Sequence, residues 1–401
     1  MIHPIPYGKQ HITEEDIQSV IETLKSDFLT QGPKIKEFEE AFAAYVGSKY
    51  AVVLANGTAA LHLCALALGV KEGDKVITTP ITFAASANCI RYCGGEVVFA
   101  DIDPETYLLD IDKVRALLEA SPKGTYQGII PVDFAGMPLN LEAFRQLADA
   151  FGLWIIEDAC HAPGGYFIDS EGKEQKCGNG SFADLAIFSF HPVKHIAAGE
   201  GGMITTNDEK LYEKLLTLRT HGITRDTSLF QNTVAVATGA EDQGEYPGWY
   251  MEMQLLGYNY RITDFQSALG LSQLKQADAN LARRRAIAKR YDQAFQNDPA
   301  IHSQLNEIKS NASGHAYHLY VIQTESRLGL YNYLREHQIF TQVHYIPLHL
   351  MPYYKQFGWK EGDMPEAERY YKKCLSLPMY PTLTEAEQAY VIEHIKAYTG
   401  E

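Results

Sequence analysis

From Ala51 to about Asn207 the chain alternates two patterns. Short apolar runs read as strands: AVVLA (51–55), KVITT (75–79), EVVFADI (96–102), GIIPVDF (128–134), LWIIED (153–158), DLAIFSF (184–190) and GMITTN (202–207). Among them lie TAALHLCALALG, FAASANCIRYCG, DIDKVRALLEA and LNLEAFRQLADAFG, which read as helices. Strands that are apolar at nearly every position are buried on both faces. The alternation predicts an α/β fold with a mostly parallel central sheet covered by helices. Ligands in such sheets sit beyond the carboxyl ends of the strands.

Outside this block the patterns change. TEEDIQSVIETLKSD predicts an amphipathic helix capped by Thr13, with Asp16 placed to complete a capping box. Residues 222–257 are rich in Gly, Thr, Asp and Gln and read as a long irregular excursion. A long helix is predicted from about Thr263 to Asn297. YHLYVIQ (317–323) and TQVHYIP (341–347) then read as strands flanking a helical LGLYNYLREHQI. The division expected is a large domain over residues 1–257 and a smaller C-terminal α+β domain over 258–401.

Composition narrows the function. The 401 residues, 46% of them hydrophobic, can bury a substantial core. A formal net charge of −15 argues against nucleic acid and anionic membranes as partners. It leaves room for a small anion held by backbone amides. No apolar run is long enough to span a bilayer, and the opening MIHPIPYGKQHITEED lacks the features of a signal peptide, so a cytoplasmic protein is expected. The six cysteines include no CxxC pair and read as reduced core thiols. His344 and His349 have no carboxylate at ligand spacing, so no metal is expected. Arg283, Arg284 and Arg285 read as a solvated helix face.

Three strand ends carry candidate chemistry. ANGTAALHL places a glycine and then Thr58 and Ala59 at the start of a helix, where free amides and the helix dipole favour a phosphate. IIEDACHA places Asp158 at the end of an apolar strand, with Glu157 pointing to the opposite face and His161 following. FSFHPVKHIAAGEGG places Lys194 after another apolar strand, with Ser189 five residues before it and Gly199, Gly201 and Gly202 after it. A lysine carried into the interior must be deprotonated, paired or covalently engaged. A phosphate cup, an acid and a lysine at successive strand ends together meet the needs of pyridoxal 5′-phosphate. There is no GxGxxG after the first strand and no GxxxxGK[ST], so nicotinamide and P-loop readings lose support.

The segments FLTQGPKIKEFEEAFA, NGTAALHL, TTPITFAASANCI, IIEDACHAPGG, FSFHPVKHIAAGEGG and LGYNYRITDFQSALGLSQL occur in the order found in one family. The chain resembles the sugar-nucleotide aminotransferases of the DegT/DnrJ/EryC1/StrS family. The resemblance implies the fold type I, aspartate aminotransferase-like architecture. FSFHPVK, WYMEMQLLGYNYRITD and QVHYIPLH point to the subgroup that aminates a UDP-4-keto-6-deoxy-N-acetylhexosamine in pseudaminic acid biosynthesis. By this resemblance Lys194 is the Schiff-base lysine, and Thr58, Ala59 and Ser189 hold the cofactor phosphate. Phe83 lies over the pyridine ring, Asp158 meets the ring nitrogen and His161 lies near the ring hydroxyl. Asn259 reaches the phosphate of a neighbouring subunit, so a homodimer with shared sites is expected. L-Glutamate is the implied amino donor. Tyr7, Phe28, Leu29, Thr30, Gly57, His344 and Tyr345 are the implied sugar contacts. Lys9, Arg225 and Arg261 are the cations available for the diphosphate. Family members that act as dehydratases carry histidine in place of the lysine, and Lys194 speaks against that activity.

Overall fold

A computed structural model describes residues 3–239, 244–303 and 313–400. The apolar runs form strands where their pattern places them. In chain order the strands are β1 (Ile5–Pro6), β2 (Tyr50–Leu54), β3 (Lys75–Thr78), β4 (Glu96–Phe99) and β5 (Tyr126–Ile130). β6 (Trp154–Asp158), β7 (Tyr166–Ile168), β8 (Glu174–Lys176), β9 (Leu185–Ser189) and β10 (Gly202–Thr206) follow. Seven of them build the central sheet in the order β2-β10-β9-β6-β5-β3-β4. Neighbours are parallel except at β10, which runs antiparallel to both β2 and β9. After β9 the chain returns through a loop closed by the Phe190 amide on the Gly201 carbonyl (2.8 Å), so no helical crossover reverses its direction.

α1 (Glu14–Leu24) begins where its cap predicts and carries the Thr13–Asp16 capping box, and Pro33 opens α2 (Pro33–Val46). Asn56 caps α3 (Gly57–Ala67), so this helix starts one residue earlier than the Thr58 expected. α4 (Ala85–Tyr92), α5 (Ile111–Glu119), α6 (Leu141–Phe151) and α7 (Glu209–Arg219) complete the layers. Alternation along the strands feeds two cores. Val52, Leu54, Leu185 and Ile187 join the core shared with α3 and α6. Val53, Phe188, Phe190 and Met203 join the one shared with α2.

The excursion over residues 222–257 has more structure than its composition predicts. It contains a short helix, α8 (Val234–Thr238), and a two-residue pairing of Ile223 and Thr224 with Met253 and Glu252. Its neck needs glycine. A Cβ on Gly222 would lie 1.8 Å from the Leu255 carbonyl oxygen, and one on Gly257 would lie 2.0 Å from the Gly222 nitrogen. The long helix expected from Thr263 breaks at Lys275–Gln276 into α9 (Asp264–Leu274) and α10 (Ala277–Phe295).

Two expectations fail beyond this point. Residues 341–347 are not a strand. Pairing is confined to Ile339–Phe340, which joins β1 in parallel, and to a bridge from Gln342 to Ser376. Gln342, Val343, His344 and Tyr345 all line a cavity instead, and His344 also bonds Ser376 and Tyr370. The arginine run is not a solvated face either. Arg284 is buried, and Arg283 and Arg285 donate to the Leu383 and His315 carbonyls. α10 lies between the sheet and the C-terminal elements, so all three guanidinium groups meet backbone carbonyls. No helix among the described residues is long and apolar enough to cross a membrane.

Candidate active site

The carboxyl ends of β2, β6 and β9 open onto one cavity of about 1020 Å³. Gly57, Thr58, Ala59, Asp158, His161, Ser189 and Lys194 line it from the sheet. Phe83 lines it from the turn before α4, and Tyr7, His344 and Tyr345 close the far side. Segments distant in sequence therefore meet where sheet topology predicts.

The floor is the N-terminus of α3. Asn56 accepts from Ala59 through its side chain (2.8 Å) and from Ala60 through its carbonyl (3.1 Å). The amides of Gly57 and Thr58 and the Thr58 hydroxyl have no partner among the described residues. They face Ser189, whose Cβ would lie 3.1 Å from a Cβ on Gly57. This is an anion cup with its donors free. β10 supports it from below, where a Cβ on Gly202 would lie 2.4 Å from the Asn56 carbonyl oxygen and 2.8 Å from the Gly57 nitrogen. Gly202→Ala is expected to push the cup apart. Overpacking against backbone costs roughly 1–3 kcal/mol, and cofactor affinity should fall with stability. A thermal melt and a cofactor titration on the same sample would check both.

Asp158 ends β6 and is buried. Its carboxylate accepts from the Ser86 hydroxyl (2.7 Å) and the Cys160 amide (3.2 Å), and makes no ion pair among the described residues. Glu157 faces away, as alternation predicts, and accepts from the Gly178 amide. There it meets Asp133 and Cys177, with one potential ligand atom from each of the three within 4.8 Å of the others. Burial raises both carboxyls, Asp133 to about 7, so the two acids retain a proton between them.

His161 accepts from the Ala135 amide at Nδ1 (3.2 Å), which leaves the proton on Nε2, 3.3 Å from the Tyr345 hydroxyl oxygen. Burial and the nearby Lys194 charge push the ring well below the usual histidine range, so it is neutral. Since Nε2 donates, the Tyr345 hydroxyl proton is free to point into the cavity. Phe83 is an exposed ring 6.4 Å from that of Tyr345.

Lys194 lines the cavity, and Nζ has neither a hydrogen bond nor an ion pair among the described residues. Burial lowers its affinity for a proton, and Asp158 only partly restores it. His344 is fixed by Ser376 (Nδ1 to Oγ, 2.9 Å), while His349 pairs with Glu368 (2.9 Å), so the two histidines serve separate partners.

Four expected contacts lie outside this cavity. Phe28, Leu29 and Thr30 are exposed, with Thr30 bridged to Thr263. Asn259 is exposed and bridged to Thr220. Both segments border a second cavity of about 340 Å³ that holds Arg219, Thr220 and Arg261. Lys9 and Arg225 are exposed outside both. The sequence reading also missed cavity residues. Ser86 could have been found, since Thr82 and Ser86 are four residues apart and their hydroxyls meet at 2.7 Å. His318, Gln342 and the pair His62–Tyr260 (3.1 Å) carry no local signal, because the fold alone brings them there.

A free anion cup, an unpaired buried amine and an unpaired buried carboxylate in one cavity fit the phosphate, the aldehyde carbon and the ring nitrogen of pyridoxal phosphate. The chain matches the DegT/DnrJ/EryC1/StrS aminotransferase family over residues 10–396. It is 40% identical to the spore coat polysaccharide biosynthesis protein SpsC of Bacillus subtilis, over 98% of this chain and 97% of that one. It is 35% identical to the UDP-4-amino-4,6-dideoxy-N-acetyl-beta-L-altrosamine transaminase of Campylobacter jejuni, over 96% of this chain and 95% of that one. Among solved structures it resembles Helicobacter pylori PseC, an aminotransferase involved in the biosynthesis of pseudoaminic acid. The TM-score there is 0.84 and the identity 29%, with 99% of each chain covered. Fold, cavity and similarity along nearly the whole length converge on one assignment: the chain belongs to the DegT/DnrJ/EryC1/StrS family and is a pyridoxal-phosphate-dependent sugar aminotransferase of fold type I.

Proposed function

We propose that the chain transfers an amino group from L-glutamate to C4 of a UDP-4-keto-6-deoxy-N-acetylhexosamine, in pseudaminic acid biosynthesis. The observation that carries the reading is the unpaired Lys194 amine sharing a cavity with the unpaired Asp158 carboxylate and the free α3 amides. The substrate follows the similarity to the Campylobacter transaminase. Pyridoxal phosphate, when bound, supplies an electron sink for the carbon that carries the amine.

The chain's residues then have separable tasks. The Gly57, Thr58 and Ala59 region and Ser189 hold the phosphate. Asp158, fixed by Ser86 and the Cys160 amide, keeps the ring nitrogen protonated. Lys194 Nζ, whose hold on a proton burial weakens, takes a proton from the substrate carbon and returns it. His161 and Tyr345 orient the ring hydroxyl side, and Phe83 covers the ring face. Tyr7, Gly57 and His344 contact the sugar. In this reading Asn259 and the Phe28–Thr30 loop serve the cavity of a second copy. Exposed Phe28, Leu29, Trp249, Met253 and Leu256 support a homodimer that buries them. In this reading the unit over residues 1–257 carries the cofactor groups, and 258–401 carries His344 of the sugar wall.

A spectrum of the purified protein before and after L-glutamate tests the first half. The visible-edge band of the bound cofactor should convert to a shorter-wavelength band. UDP-4-keto sugars are then tried one at a time. Return of the original band with the β-L-arabino-hex-4-ulose, and not with its C4 or C3 isomers, is the expected result. Return with another isomer alone would overturn the substrate and keep the aminotransferase reading. No response to glutamate would leave a cofactor-binding protein without turnover.

A further inference from the structure

Arg284 is among the largest fully buried side chains, and no carboxylate pairs with it among the described residues. Its Nη1 donates to three carbonyl oxygens: Tyr317 (3.1 Å), His318 (3.3 Å) and Met379 (3.0 Å). Nε is buried without a partner. An unpaired buried guanidinium is costly and needs a reason. The turn it holds is tightly placed. Tyr317 has φ +51, and the Ala316 and Leu319 amides bond the Gly136 and Ala135 carbonyls. A Cβ on Gly136 would lie within 3.0 Å of the Tyr317 and His318 nitrogens. The turn thereby sets the His318 ring on that of His161, with centroids 4.3 Å apart, and 5.8 Å from that of His195. His318 and Lys194 line the same cavity.

We propose that Arg284 is a positioning residue that acts by charge. Caged by three carbonyls behind the His318–His161 stack, its fixed positive charge works against a second positive charge on Lys194.

The surroundings make this charge count. Lys194 is faced by Asp158 and Cys160 from the end of β6 and by His161 beyond them. His195 adjoins it, His318 comes from the 315–319 turn and His344 from the 341–347 segment. All four histidines are pushed down, His344 to about 3, and the Cys160 thiol is pushed up. At neutral pH they carry no charge. Asp158 then stands as the fixed anion and Arg284 as the fixed cation acting on the amine. Burial disfavours the charged form of Arg284, yet a guanidinium bonded to three carbonyls keeps its proton across the range in which a lysine titrates.

The inference rests on Lys194 being the working amine of the proposed site. The test measures that amine directly. Full-length chain freed of cofactor is reductively methylated across a pH series, and modification of the Lys194 peptide is read by mass spectrometry. The wild-type midpoint should lie below that of surface lysines. Arg284→Met should raise it by about one pH unit, and Arg284→Lys should leave it near wild type. The absorbance band of the holoenzyme should shift its pH midpoint in the same order. A folded Arg284→Met with an unmoved midpoint overturns the proposal, and so does Arg284→Lys moving as far as Arg284→Met. If Arg284→Met does not fold, Arg284→Gln, which can still donate to the carbonyls, takes its place. If neither neutral variant folds, the wild-type midpoint decides, and an ordinary lysine value overturns the proposal. A low midpoint in a chain that binds no pyridoxal phosphate would sink the proposed function and leave this inference standing.

Discussion

Lys194→Ala is expected to fold normally and to lose transamination by a factor of at least about ten thousand. The structural cost is small because Nζ makes no hydrogen bond or ion pair that the fold relies on. Removing a buried amine also relieves a desolvated group. The catalytic cost is large because no neighbour can replace it. His161 is committed to Ala135 and Tyr345, and His344 to Ser376. Both rings sit too low in pKa to hold a proton at neutral pH. Two measurements decide the outcome: the single-turnover rate with L-glutamate, and the loss of the visible-edge band under added pyridoxal phosphate. A variant that kept the band and the rate would remove Lys194 from the chemistry.

The second large effect is expected at Asp158. Asp158→Asn keeps the volume and the acceptor for the Cys160 amide, and its new amide can donate to Ser86 Oγ. The variant should therefore fold and retain the cofactor phosphate on α3. It loses the negative charge that keeps the ring nitrogen protonated. Removing a preorganised electrostatic group of this kind costs about a hundred- to a thousandfold in rate. The loss should fall on the rate of the half-reaction with glutamate and leave phosphate affinity nearly unchanged. Equal loss in both would mean that Asp158 only supports the cavity wall.

The sheet and the three strand ends were legible because each rests on a local signal. Apolar runs such as DLAIFSF are too short for helices, and Thr13 marks a helix start directly. Lys194 stood out because a lysine after a buried strand has no ordinary explanation. The failures share the opposite cause. Arg284 has the local sequence of a surface helix, and only the packing of α10 under the 315–319 turn buries it. TQVHYIP has the alternation of a strand, but Gln342 to Tyr345 line a cavity in succession and only a single bridge, Gln342 to Ser376, pairs it. The antiparallel β10 could not be read from its apolar run, because direction depends on the connection, and Phe190–Gly201 is a turn rather than a crossover. Ser86 reaches Asp158 across 72 residues of chain, a distance no window spans.

The two walls of the cavity belong to different parts of the fold. The cup, Asp158 and Lys194 are rooted in the central sheet. His344 is held instead by Ser376 and by Tyr370, whose hydroxyl donates to the His344 carbonyl (2.7 Å), and Tyr7 follows a strand paired to Ile339–Phe340. Under the proposed assignment, a substitution at His344 changes what the cavity admits, whereas Tyr345, 3.3 Å from His161, belongs to the cofactor side. Under that assignment a gene lineage exchanges one nucleotide sugar for another by rewriting single codons such as that of His344, while the codons for Asp158 and Lys194 pass down intact.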